Sequence, residues 1–221
     1  MHQFMKTLLK PSLVILGMIA ATIGLAQTDA KANELLNKVS KKYQAYTSIK
    51  AVFTVTTENQ ADKKKTSEDG TVFLKGSKFR LDFGGQEVYC DGKTLWTYVK
   101  DANEVTIENY KPNDNSITPN EIFSIHKKGF NGAYEGPIMR NNKTYEVVKL
   151  SPKVPKKNQL SYVKVEIDKT TNQIDRMLMY YKNSMLVTYA VKSFTPNQVM
   201  TDASFTFDAK TKPGVTVVDL R

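Results

Sequence analysis

Between Phe79 and Tyr98 the side chains alternate in a way that fits a β-meander and not a helix. Phe79, Leu81 and Phe83 fall on one face of a period-2 strand, while Lys78, Arg80 and Asp82 take the other. Asp91-Gly92 supplies a turn, and Thr94-Leu95-Trp96-Thr97-Tyr98 returns as the next strand. Large apolar groups therefore line one side of an antiparallel sheet, and something has to cover them.

The first 26 residues are set aside before any fold is assigned. Lys6 and Lys10 form a basic start, Ser12 to Leu25 is apolar and small, and Gly24-Leu25-Ala26 places small residues before Gln27. A cleavable secretory signal is expected. A retained anchor fits less well, because the apolar run falls short of the roughly 20 residues that span a bilayer and Gly17 and Gly24 interrupt it. Without a cysteine beside the cleavage site, the chain is not expected to be a lipoprotein itself. Residues 27–221 are then a single domain of 195 residues with a net charge of +8.

That charge lies in short clusters, Lys41-Lys42, Lys63-Lys64-Lys65, Lys127-Lys128 and Lys156-Lys157. A nucleic-acid reader gathers its charge into one stripe with interleaved aromatics, so no nucleic-acid partner is expected. Solvated lysines are the plain reading, with attraction to anionic headgroups or an acidic partner as the weaker one. Cys90 is the only cysteine, so packing alone must hold an exported domain together. A small apolar residue at a strand end is the expected role for it, in preference to a reactive thiol.

Along the exported chain, Ala32, Leu35, Leu36, Val39, Tyr43 and Tyr46 recur at helical spacing, which predicts an amphipathic helix over 29–47. Period 2 follows at Ile49, Ala51, Phe53 and Val55, and further strands are predicted at 71–74, 79–83, 88–90, 94–99 and 104–108. A second helix is predicted over 119–128, with Thr118 as its cap, Pro119 at its first position, Glu121 as the capping-box partner and Gly129 at its end. Strands near 144–150, 159–167, 173–181, 185–194, 205–207 and 215–218 complete the set. The fold class is mainly β with α+β character: an open antiparallel half-barrel of about ten strands whose concave face is covered by helices. Met177-Leu178-Met179-Tyr180-Tyr181 and Met185-Leu186-Val187 are apolar on both faces, as ordinary core or as a surface that meets a ligand or partner.

Catalytic sets are nearly absent. His126 is the only imidazole beyond the leader, and no cysteine or second histidine lies near it in sequence. No metal-ligand spacing, phosphate loop or nucleotide fingerprint occurs, so neither enzymatic activity nor a cofactor or metal is expected. Adaptable methionine and aromatic side chains on strands, covered by helices, suit a greasy and flexible ligand.

Three segments also resemble a known family, the LolA-type periplasmic carriers of outer-membrane lipoproteins. Asp91-Gly92-Lys93-Thr94-Leu95-Trp96-Thr97-Tyr98 is similar to the family's D-G-x-x-L-W-x-Y. Lys75-Gly76-Ser77-Lys78-Phe79-Arg80-Leu81 is similar to its [KR]-P-x-x-F-R-[WL], with Gly76 where proline is usual. Phe205-Thr206-Phe207 and Pro213-Gly214-Val215-Thr216-Val217-Val218-Asp219 resemble its closing F-x-F and P-x-G-V-x-V strands. The resemblance implies a monomer in the periplasm that takes the acyl chains of lipoproteins from an inner-membrane ABC-type exporter towards an outer-membrane acceptor. It implies an acyl-chain cavity at Phe53, Phe79, Leu81, Phe83, Leu95, Trp96, Met177 and Met179. Ile122, Phe123, Ile125 and Leu36 would then form the lid, with Lys75 as a gating candidate. A lipoprotein- or lipid-sensing regulatory domain on the same half-barrel is the alternative, and a lipid-processing hydrolase a weaker one.

Overall fold

The structure, a computed structural model, describes residues 16–111, 129–157 and 159–221. One long helix and a single twelve-stranded sheet account for most of them. The helix α1 (Leu16–Gln44) is followed by β1 (Ile49–Asn59), β2 (Lys65–Lys75), β3 (Lys78–Phe83), β4 (Gln86–Cys90), β5 (Thr94–Val99) and β6 (Glu104–Asn109). Then come β7 (Phe130–Arg140), β8 (Lys143–Pro152), β9 (Leu160–Asp168), β10 (Ile174–Tyr181), β11 (Met185–Pro196) and β12 (Thr216–Asp219). The spatial order is β12-β6-β5-β4-β3-β2-β1-β11-β10-β9-β8-β7, so the sheet is open with β12 and β7 at its edges. All neighbours are antiparallel except β12, which runs parallel to β6.

Local chemistry sets the register of the meander. Asp91 folds its carboxylate back onto the backbone N–H groups of Lys93 and Thr94 at 2.8 and 2.7 Å, which closes the β4–β5 turn. Asn141 and Asn142 both sit at positive φ, the requirement of a tight two-residue hairpin between β7 and β8. At the β2–β3 turn Gly76 has φ of +58°. Proline holds φ near −65°, so the glycine in place of the family's usual proline belongs to a hairpin that proline could not make.

Register also sorts the side chains into two faces, because paired residues of adjacent antiparallel strands point the same way. One inner-face row reads Ile49, Leu74, Phe79, Cys90, Leu95; the next reads Ala51, Val72, Leu81, Val88. Further along the strands, Tyr134, Val148, Val165, Met177, Tyr189 and Val55 form a third row. The helix packs on this face: Ala32, Leu35, Leu36, Val39 and Tyr43 are buried in one cluster with Val148, Leu150, Val163, Val165, Met177 and Met179. It crosses the strands from the β7 edge, where Leu36 and Ala32 meet Gly132, to β10 and β11, where the Tyr43 hydroxyl accepts from Ile174 N–H at 3.1 Å and its ring meets Phe194.

On the outer face the C-terminal segment builds a second, smaller core. A 3-10 turn at Asp202–Phe205 packs on β3 and buries Phe205 completely, while Phe207 lies against Tyr89 and Tyr98 at 5.9 and 5.4 Å. Val105 is buried on the same face.

Several expectations need correction. The sheet has twelve strands where about ten were predicted. The missed one is β7, whose Gly132, Gly136, Pro137 and bulge at Tyr134/Gly136 break the alternation. Residues 205–207 are not a strand but the end of the 3-10 turn and its exit. The closing strand pairs parallel, since its chain first crosses the outer face. The helix runs over Leu16–Gln44 where 29–47 was predicted. One helix is seen covering the sheet; the second, at 119–128, lies outside the described residues.

Candidate functional site: the open part of the inner face

The helix does not treat the inner face evenly. Phe79, Met177 and Met179 are buried to between 2 and 6% exposure and belong to the core cluster that α1 joins, with the Phe79 ring edge-on to Tyr110 at 5.9 Å. Away from α1, Phe53, Val72, Leu81, Phe83, Val88, Val187, Tyr189 and Val191 are only half-buried. These eight residues come from β1, β2, β3, β4 and β11, which are adjacent in the sheet, so they form one apolar strip.

Gly70 shapes that strip. It lies opposite Phe53 across the β1–β2 pair, and a Cβ there would stand 2.5 Å from Phe53 Cζ and 3.1 Å from Phe83 Cδ2. The missing side chain lets both rings lie over β2, with centroids 6.0 Å apart. Tyr189 flanks Phe53 on the other side at 6.4 Å, and burial raises the pKa of its hydroxyl, which stays neutral.

Charge is confined to the margin. Within the inner-face rows the carboxylates are Glu68, Glu104 and Glu108 at one side, and Glu146 at the other. Glu68 accepts from Gly84 N–H at 2.9 Å. Glu146 accepts from the Tyr134 hydroxyl and lies 3.8 Å from Lys31, beside the helix. The hydrogen bond to Tyr134, together with Glu146, raises the Lys31 pKa against its desolvation. No group of three metal-ligating side chains occurs among the described residues. What an uncharged apolar strip of this kind can offer is burial of apolar surface and dispersion.

The predicted site residues divide. Phe53, Leu81 and Phe83 lie together on the half-buried strip, and Leu95 flanks it in the row of Phe79. Phe79, Met177 and Met179 share the face but are enclosed, and Leu36 packs on it from the helix. Trp96 points to the opposite face: it pairs with Tyr89 and Ile107, one residue out of phase with Leu95. Lys75 also faces outward. Its ammonium donates to Met200 O at 2.9 Å and pairs with Asp202 at 3.1 Å, and Lys78 holds the same carboxylate at 2.7 Å. These contacts anchor the C-terminal segment, and hydrogen bonds from Lys78 and Lys75 pull the Asp202 pKa down. Ile122, Phe123 and Ile125 lie outside the described residues. Gly70, Val72, Val88, Tyr189 and Val191 were not singled out in the sequence, whereas Val187 was, within the Met185-Leu186-Val187 run apolar on both faces. An isolated glycine inside a strand pattern was the available signal for the first of them.

An uncharacterized protein of Methanocaldococcus jannaschii is 29% identical over 158 residues, 69% of this chain and 47% of that protein. The chain thus spans about half the length of the curated relative it matches. An uncharacterized conserved protein of Thermus thermophilus shares the fold with a TM-score of 0.58 at 15% identity, covering 86% of this chain and 99% of the other. A LolA superfamily protein of Nitrosomonas europaea aligns with a TM-score of 0.43 at 12% identity, over 80% and 98% of the two chains. The family model described as outer membrane lipoprotein carrier protein LolA matches residues 44–208, from the end of α1 through the Phe207 that closes the outer face. With about three quarters of its length in that match, the chain belongs to the LolA family.

Proposed function

We propose that this protein is a non-catalytic periplasmic carrier that holds the acyl chains of lipoproteins against the open strip of its inner face. The observation that supports this most directly is the contiguity of Phe53, Leu81 and Phe83 with Val72, Val88 and Tyr189, half-buried and free of charge, beside a core the helix already seals. A contiguous apolar surface of that kind is costly to leave in water and marks a place that something apolar covers. Acyl chains fit because they have no fixed shape and need no polar partner.

The energetics suit a shuttle. Burying roughly forty methylenes at about 0.8 kcal/mol each would gain about 30 kcal/mol, which a free lipoprotein forfeits in water. A carrier that kept the whole of that gain could never unload. Partial burial on an open sheet leaves transfer onward downhill. Loading would come from an inner-membrane ABC-type exporter and delivery would be to an outer-membrane acceptor, with the protein acting as a monomer.

Leu81→Arg tests this reading. The arginine would put a charge in the middle of the strip while the surrounding rows keep the strand paired. Binding of a fluorescent long-chain fatty-acid probe should fall at least tenfold with an unchanged far-ultraviolet circular dichroism spectrum. Equal binding by the folded variant would overturn the assignment.

A further inference from the structure

Three loops meet at one end of the sheet. The β1–β2 tip is tied to the β10–β11 turn by Gln60 N–H donating to Ser184 O at 2.9 Å. That turn is tied to the β8–β9 loop by Lys182 N–H donating to Gln159 O at 3.1 Å and by the Lys182 ammonium donating to Pro155 O at 2.6 Å. Together, residues 58–65, 152–156, 159 and 181–186 carry six lysines and two carboxylates, a net of +4 in 20 residues of a chain whose total is +10. Both carboxylates belong to the first loop: Glu58 pairs with Lys65 at 2.9 Å and lies 4.0 Å from Lys63, and Asp62 lies 3.6 Å from Lys64. The other two loops contain none. Lys63 and Lys64 remain 71 and 85% exposed, Lys153, Lys156 and Lys182 are exposed as well, and Val154 stands among them at 55%.

We infer that this lysine rim docks the protein on an anionic lipid surface. The loops span strands β2 to β8, six neighbours in the sheet and about 24 Å at the usual strand spacing, so the charge is a row along an edge and not a point site. A row of long, exposed lysines around an apolar residue suits the interface of a bilayer, where ammonium heads meet phosphates and the stems and Val154 meet the acyl boundary. The rim is also continuous with the inner face, because the Lys182–Ser184 turn joins Tyr181 at the end of β10 to Met185 at the start of β11, and both are in phase with the inner-face pairs Met177–Tyr189 and Met179–Val187. Docking would bring that end of the sheet to the membrane from which acyl chains leave or into which they pass. The inference extends the carrier reading, and lipid docking is measured apart from acyl-probe uptake, so either can fail alone.

The test is co-sedimentation of the full exported chain with vesicles of phosphatidylcholine containing about 30% phosphatidylglycerol, against vesicles of phosphatidylcholine alone. The protein should bind the anionic vesicles and release them at high salt, as screening shortens the reach of exposed charge. The triple variant Lys64→Glu, Lys153→Glu, Lys156→Glu should bind at least tenfold more weakly and take up the fatty-acid probe normally. A control of equal charge at the other end of the sheet, Lys41→Glu, Lys93→Glu, Lys143→Glu, should keep most of the binding. Failure of the unaltered protein to bind anionic vesicles would overturn the proposal and leave the rim to an acidic protein partner. Equal loss in rim and control variants would overturn it too, by making the attraction a property of net charge.

Discussion

Gly70 and Glu87 show how single residues set the two faces of the sheet. At Gly70, a valine would collide first with the far end of the Phe53 ring, which can swing away, so the fold should survive. Gly70→Val should lower the melting temperature only slightly while displacing Phe53 and weakening fatty-acid-probe binding several-fold. Unaltered binding would remove Phe53 from the site. On the outer face Glu87 is buried and accepts from the Tyr89 hydroxyl at 2.6 Å and from Lys212 at 3.3 Å, with Arg80 at 4.0 Å. Burial pushes its pKa up, but the Tyr89 hydrogen bond, Lys212 and Arg80 outweigh that and hold it below its ordinary 4.5. A depressed folded-state pKa means that this network stabilises above pH 4.5 and that its contribution is lost as the pH falls through the lowered value. Glu87→Gln should cost about 1–3 kcal/mol at pH 7 and flatten the acid limb of the stability profile, as measured by urea denaturation between about pH 3 and 7.

Among the elements, α1 and the C-terminal segment clamp the sheet from opposite sides. The helix reaches β7 only because Gly132 has no side chain: a Cβ there would stand 3.3 Å from Leu36 Cδ1 and 3.5 Å from Ala32 Cβ. Gly132→Leu should therefore destabilise by about 1–3 kcal/mol, read by thermal unfolding. Phe205 closes the other side with no exposed surface, and Phe205→Ala should cost about 3–5 kcal/mol. Lys75→Met should loosen the C-terminal segment without changing fatty-acid-probe affinity, because Lys75 reaches Met200 and Asp202 on the outer face. A change in affinity would restore the gating role that resemblance gave it. Strong local patterns made much of this readable in advance: the helical spacing from Ala32 to Tyr43, the alternation from Phe79 to Phe83, and the Asp91-Gly92 turn. What escaped depends on distant partners. β7 carries glycines and a proline because a helix packs on it and a bulge bends it, and neither cause is local. Trp96 is given to the cavity by the family resemblance, yet register against Tyr89 sends it outward. Phe207 looks like a strand residue until the rings of Tyr89 and Tyr98 are seen against it.

At the scale of the whole molecule, an open sheet of twelve strands keeps one part of its inner face sealed and another part half-covered. The sealed part packs with α1 into the main core, and the strip around Phe53, Leu81 and Phe83 is the part that the carrier reading gives to a ligand. On the proposed docking, the lysine rim at one end would orient that strip towards a lipid surface. Mass spectrometry of the protein purified gently from periplasm, with Leu81→Arg purified in parallel, tests this account most directly. Intact acylated lipoprotein should accompany the unaltered protein and be missing from the variant. Free lipid alone, no ligand at all, or equal loading of the two proteins would contradict it.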